Sequence, residues 1–249
     1  MSLEIVGAEI GVASPVRDWH DVQWQLVNGC TRVSAGCESC TAEIMMARWT
    51  PGQAFSVLRD GPHDARWTGQ VEVVEDALTL PRTWIDPRWV FVCSMADLFH
   101  ERVSFEFIAH AIGVMAAFPQ HGFGICTKRA ERMAAFFAEF GPAPDNVMVG
   151  VTVESVEQRN RLDELQKVDA KTRWVAVEPM LGPLYTLKPY LGTVVHWVTF
   201  GPEIGIKRRE CRVEWARQLR DDCRESGVPF FTKHKLDGEI IRERPWDLV

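Results

Sequence analysis

The chain has 249 residues, 46% of them hydrophobic, enough to bury a large core; α/β barrels of this length are routinely one domain. With 34 acidic against 28 basic residues the formal charge is -6, which excludes a global attraction for nucleic-acid backbones or anionic membranes. The opening MSLEIVGAEIGV lacks the basic start and apolar run of a secretory signal, and no stretch approaches a membrane span, so a cytoplasmic protein without membrane contact is expected.

A first strand is expected at residues 22–27. It leads into NGCTRVSAGCESCTAE, where Cys30, Cys37 and Cys40 stand in a Cys-x6-Cys-x2-Cys spacing before the helix-like AEIMMARW. Thiolates are soft ligands for zinc or iron, and a Cys-x2-Cys pair reaches one centre from a tight turn. Three sulfurs leave a position open, so a cluster, a zinc ion completed from elsewhere, and three unrelated thiols all remain in play. Residues 49–86, rich in Pro, Gly and Trp, read as an insertion or lid packed over the barrel.

From Trp89 onward apolar runs recur: WVFVCS (89–94), GFGICT (122–127), VMVGVTV (147–153), RWVAVEP (173–179), VHWVTFG (195–201) and VPFFTK (228–233). Their continuous apolar character suits strands buried on both faces. Helical spacing separates several of them, in SFEFIAHAIGVMAAF after Ser104, in KRAERMAAFFAEF, and in SVEQRNRLDELQKV after Ser155. Repeated βα units with about seven mostly parallel strands predict an α/β protein, a full or partial TIM-type barrel over residues 1–249, with 234–249 as a C-terminal hairpin or tail centred on Asp237-Gly238.

Charged and polar residues cluster where these strands end: Asp97, His100, Thr127, Lys128, Glu154, Glu178 and Glu203, the edge on which barrels place their chemistry. Cys93 and Cys126, in apolar runs, read as small buried thiols. Trp24, Trp89, Trp174 and Trp197 read as packing. His63, His110, His121, His196 and His234 lack partner spacing and read as structural; His20 is a candidate fourth ligand by proximity alone. Lys128, Arg129 and Arg132, and Lys207, Arg208 and Arg209, are candidate local phosphate contacts.

The run WQLVNGCTRVSAGCESCTAEIMMARW resembles the opening motif of an uncharacterised bacteriophage and bacterial family named after phage gene products thirty-seven and sixty-eight. The resemblance continues in order through VFVCSMADLFHE, CTKRAERM, VGVTVES, VAVEPMLGP, FGPEIG, ESGVPFFTKH and LDGEIIRERPWDL, over roughly residues 24–247. It implies a barrel like that of radical S-adenosylmethionine enzymes, with a [4Fe-4S] cluster on Cys30, Cys37 and Cys40. Ser94, His100, Thr127, Lys128, Glu154 and Gly201 would then serve the cofactor, and Asp97, Glu178 and Glu203 the reaction. The substrate expected is DNA, RNA or a nucleotide, modified at a base, with a separate electron donor. Departures from the family pattern are Thr41 for an aromatic residue, Gln25-Leu26 for Asn-Pro, and Pro202 and Ile204 within the Gly-Gly-Glu-Ser-Gly motif.

Two other functions fit the same residues. One is a zinc-containing transglycosylase that inserts 7-deazaguanine-type bases, with Asp97 as nucleophile and Glu178 or Glu203 moving the proton. The other is a non-catalytic metal-binding accessory protein.

Overall fold

The computed structural model describes residues 20–50, 53–58, 64–204 and 208–245, with the backbone of 4–6 and 8–9. His63, Gly205, Lys207, parts of the 49–86 insertion and residues 246–249, all read above, lie outside the described residues.

In chain order the elements begin with Glu4–Val6 (β1), Ala8–Glu9 (β2), Val22–Trp24 (β3), Val27–Asn28 (β4) and Thr41–Trp49 (α1). Ser56–Leu58 (β5), Ala65–Trp67 (β6), Glu72–Val73 (β7) and a run of 3-10 turns over Glu75–Thr83 follow. Strands and helices then alternate: Trp89–Val92 (β8), Phe105–Ala117 (α2), Gly122–Thr127 (β9), Ala130–Phe140 (α3), Val147–Thr152 (β10), Asn160–Gln166 (α4), Arg173–Val177 (β11), Trp197–Phe200 (β12), Val213–Glu225 (α5) and Phe230–Thr232 (β13).

The main sheet has the order β13-β12-β11-β10-β9-β8-β3-β1-β2. From β3 to β13 seven strands pair in parallel and curl into a half-barrel. Since β13 and β2 are edges that do not meet, the partial barrel is realised and not the full one. Six consecutive residues of β10 are buried, as its unbroken apolar sequence requires. Strand packing inside the curl is close enough to demand glycine at one position: a Cβ on Gly150 would lie 2.6 Å from Cε2 of the Trp174 indole. Trp174 in turn stacks on Trp197, with centroids 5.3 Å apart, and the pair fills the concave side.

The helices form where their sequences cap them. Ser104 Oγ accepts the Phe107 N–H at 3.2 Å and opens α2, which buries Ile108, Ile112 and Met115. Each such side chain contributes roughly 1.5–3 kcal/mol through its removal from water. Ser155 also caps, through a reciprocal box with Gln158, but what it opens is one 3-10 turn ahead of α4.

Residues 49–86 pack in two places. The β5–β6 hairpin packs with Phe55 and Trp67 against α1, whereas Ala77 and Leu78 join the main core and Ala77 O accepts the Trp24 indole N–H at 2.8 Å. At the other end of the chain Asp237 and Gly238 take positive φ between Leu236 and Glu239, which form an isolated antiparallel bridge. Among the described residues no helix is long and apolar enough to cross a membrane.

Candidate functional site

Parallel strands end together, so side chains just past β8, β9 and β11 meet at one edge of the sheet. The segment between β4 and α1 lies across that edge. Its Cys30, Cys37 and Cys40 line a cavity of about 240 Å³ together with Ser94, Asp97, Thr127, Lys128 and Glu178. His100, Glu154, Gly201 and Glu203 do not line it.

The cysteine segment has one short 3-10 turn, Ala35–Cys37, and needs outside support. Arg129 supplies part of it. Its guanidinium donates to Thr31 Oγ1 at 2.7 Å and Thr31 O at 3.3 Å, and lies 3.7 Å from Cys30 Sγ. The same group is held by Asp97 at 3.1 Å and by both Glu101 oxygens at 2.8 Å. Asp97 also accepts the one Thr127 hydroxyl, 2.7 and 2.9 Å from its two oxygens, the Phe99 N–H at 3.0 Å and the Lys128 N–H at 3.4 Å, so with Arg129 four donors meet its four lone-pair sites and hold it to positioning work. His100 Nδ1 accepts the Arg102 N–H, which leaves Nε2 to donate to Thr31 Oγ1 at 2.9 Å; burial, with Arg129 nearby, keeps the ring below its usual pKa and neutral.

Two further carboxylates clamp the same segment. Glu154 accepts Ser34 Oγ at 2.6 Å and Arg161 Nη1 at 2.8 Å, and comes so near that a Cβ on Gly36 would lie 2.6 Å from its Cγ. Glu203 pairs with Arg209, whose Nη2 donates to Ala35 O at 2.8 Å and whose Nη1 reaches Glu38 at 3.1 Å. Burial opposes ionisation of Glu203, but the Arg209 bonds outweigh it and hold the carboxyl below the usual range. Under α1, the buried Glu43 accepts Arg32 Nε at 3.0 Å and the Trp67 N–H at 3.0 Å.

Two of the three thiols are shifted toward the protonated form. Burial, helped by Asp97 and partly offset by Arg129, pushes Cys30 up to about 12; burial raises Cys40 too. A coordinated cation would therefore have to displace their protons. Among the described residues no three His, Cys, Asp or Glu side chains converge on the position of a single ion. Soft donors spread around a shared cavity do suit a cluster, in which separate sulfurs hold separate irons.

Glu178 stands apart from the clamps. Thr199 Oγ1 donates to its Oε1 at 2.7 Å, Lys233 pairs with its other oxygen, and Gly201 leaves room behind it, a Cβ there falling 3.4 Å from Glu178 Cγ. Lys128 lines the same cavity; burial opposes its charge, while the Glu154 carboxylate foremost raises its pKa overall.

Several expectations need correction. Arg129 and Arg209 are not phosphate contacts, because each is spent inward on carboxylates and the cysteine segment. Arg132 lies over the Phe105 ring at 4.4 Å and donates to Val103 O. Cys93 and Cys126 are not merely core: both reach the cavity wall, their thiols pushed by burial to about 12 and about 11. His20 packs on Phe91 and is not on the wall with the cysteines. The supporting residues Arg32, Glu43, Glu101 and Arg161 were missed. The signal for Glu43 lay in its place three residues after Cys40, in the first turn of α1.

The family model described as a protein of unknown function (DUF5131) matches residues 15–243. The chain belongs to this family. No curated protein matches it. The DUF5131 chain is similar in fold to spore photoproduct lyase. One single-site variant of that enzyme gives a TM-score of 0.54 at 13% identity, covering 91% of this chain and 80% of the other. A double variant with bound AdoMet and dinucleoside spore photoproduct gives 0.57 at 12% identity, covering 89% and 78%. At that identity the likeness is one of fold, and the DUF5131 chain's chemistry rests on its own side chains.

Proposed function

We propose that this chain is a cytosolic radical S-adenosylmethionine-type enzyme that modifies a nucleic-acid base or nucleotide. The observation that carries the proposal is the meeting of Cys30, Cys37 and Cys40 with Ser94, Thr127 and Lys128 around one cavity at the strand ends of a half-barrel. The similar fold of spore photoproduct lyase, seen with AdoMet bound, supports it.

The three cysteines would hold a [4Fe-4S] cluster and leave one iron open for S-adenosylmethionine. When bound, these groups supply one electron and a carbon-centred radical. The chain's own residues do the rest. Lys128, a cation with the cavity before it, suits a cofactor carboxylate, and Ser94 and Thr127 offer hydroxyls beside it. Arg129, Glu154, Glu203 and Arg209 fix the cysteine segment; in this reading Asp97 and Glu203 position groups and do not react. Glu178 is the carboxylate left to face a substrate.

A single zinc would require three sulfurs within about 2.3 Å of one point, and Asp97 as a nucleophile would require a lone pair that its donors occupy. Both considerations weigh against base exchange.

Metal and acid-labile sulfide content should be measured on protein purified without oxygen, with electron paramagnetic resonance before and after dithionite and S-adenosylmethionine. About four irons and four sulfides per chain, with a spectrum that changes on adding the cofactor, is the expected result. One zinc without sulfide would overturn the proposal.

A further inference from the structure

Glu178 follows β11 and Lys233 follows β13, with β12 between them, so the two come from the half of the sheet away from β3 and the cysteine segment. They are in direct contact, yet both line the cysteine cavity and keep 21% and 24% side-chain exposure. Each is fixed from behind: Thr199 Oγ1 bonds Glu178 Oε1 at 2.7 Å, and the Lys233 N–H bonds Phe200 O at 3.0 Å. A carboxylate has four lone-pair sites and an ammonium three donors, so neither is used up by the other. Phe91 and Trp174 form apolar wall beside them.

We infer that Glu178 and Lys233 bind an unpaired nucleobase through its Watson–Crick edge. The inference rests on the reading of this cavity as a site acting on bases and names what the base must present. Every base carries on that edge a donor next to an acceptor. In a lactam the N–H nitrogen and carbonyl oxygen are about 2.3 Å apart, as C=O and C–N bonds of about 1.23 and 1.33 Å dictate. A carboxylate and ammonium in contact meet such a neighbouring pair side by side, the acid accepting and the base donating. Both bonds are charge-assisted, the stronger kind. A base already paired in a duplex has no edge to offer, so the substrate is a nucleoside, a nucleotide or an unpaired position in a strand.

The test is calorimetric titration of the metal-loaded protein with uridine, cytidine, adenosine and guanosine, and with 3-methyluridine and 1-methylguanosine, whose edges are blocked. Uridine or guanosine should bind, and its methylated form at least about tenfold more weakly. Lys233→Met, with a melting curve confirming its fold, should bring the two forms together. Equal affinity of blocked and free forms in the wild type, or no binding by uridine and guanosine, overturns the inference without recourse to a variant. Cleavage of S-adenosylmethionine by dithionite-reduced protein in the absence of nucleoside tests the underlying reading separately.

Discussion

Arg129 Nη1 lies 3.1 Å from Asp97 Oδ2, and both side chains are less than a tenth exposed. Removing one member of such a pair costs about 3–5 kcal/mol, because the other is left charged and buried. Here the same guanidinium holds Thr31, next to Cys30, so the cost falls on the cysteine segment. Asp97→Asn should lower the melting temperature and cut iron content by more than half. A nucleophilic Asp97 would give the opposite pattern, with the bound metal retained and only turnover lost, so metal per chain decides between them.

Gly36→Ala tests the clamp from the other side. The added methyl would meet the Glu154 carboxylate, which Arg161 and Ser34 hold in place. With Glu154 immobile, the cysteine segment must move. Iron and sulfide content should fall sharply while far-ultraviolet circular dichroism stays that of the wild type, since the strands lie elsewhere. Retained iron at the wild-type level would mean that the segment tolerates displacement.

Five cysteines border the cavity, and the ligand assignment separates them. Cys30→Ser, Cys37→Ser and Cys40→Ser should each lose most of the iron after anaerobic reconstitution. Cys126→Ser should keep it, because Cys126 sits on β9 with its sulfur 3.6 Å from Thr152 Oγ1, outside the cysteine segment. Iron loss in Cys126→Ser would make it a ligand and close the position assigned to S-adenosylmethionine.

The strands were legible because burial on both faces writes itself into consecutive residues. The run 122–127 is β9, and 147–153 overshoots β10 by one. Whether the sheet closes was not legible, since closure follows from accumulated twist and the pairing of distant edges and not from any single residue. The thiols and the residues after each strand could be placed on one edge by counting βα units. What each one touches could not. Arg129 and Thr31 are 98 residues apart and Arg209 and Ala35 are 174 apart, and no local spacing records such contacts. Both arginines therefore read as surface cations, whereas the carboxylates beside them, with burial at Arg129, make them braces.

His20 gives the pH dependence. Burial foremost, then Lys233, lower its pKa to about 4 against an ordinary 6.5, with Asp21 opposing. The unfolded chain takes up a proton near 6.5 that the folded chain refuses until about 4, so stability present at neutral pH is lost as pH falls between those values. That gap, at about 1.36 kcal/mol per pH unit, bounds the loss at about 3 kcal/mol. Urea unfolding of wild type and His20→Gln at pH 7, 5.5 and 4 isolates the contribution from that of the acidic residues common to both. The wild type should lose more stability than the variant over this range. Parallel losses would mean that His20 titrates in the folded protein as it does in water, and that its packing on Phe91 opens to solvent.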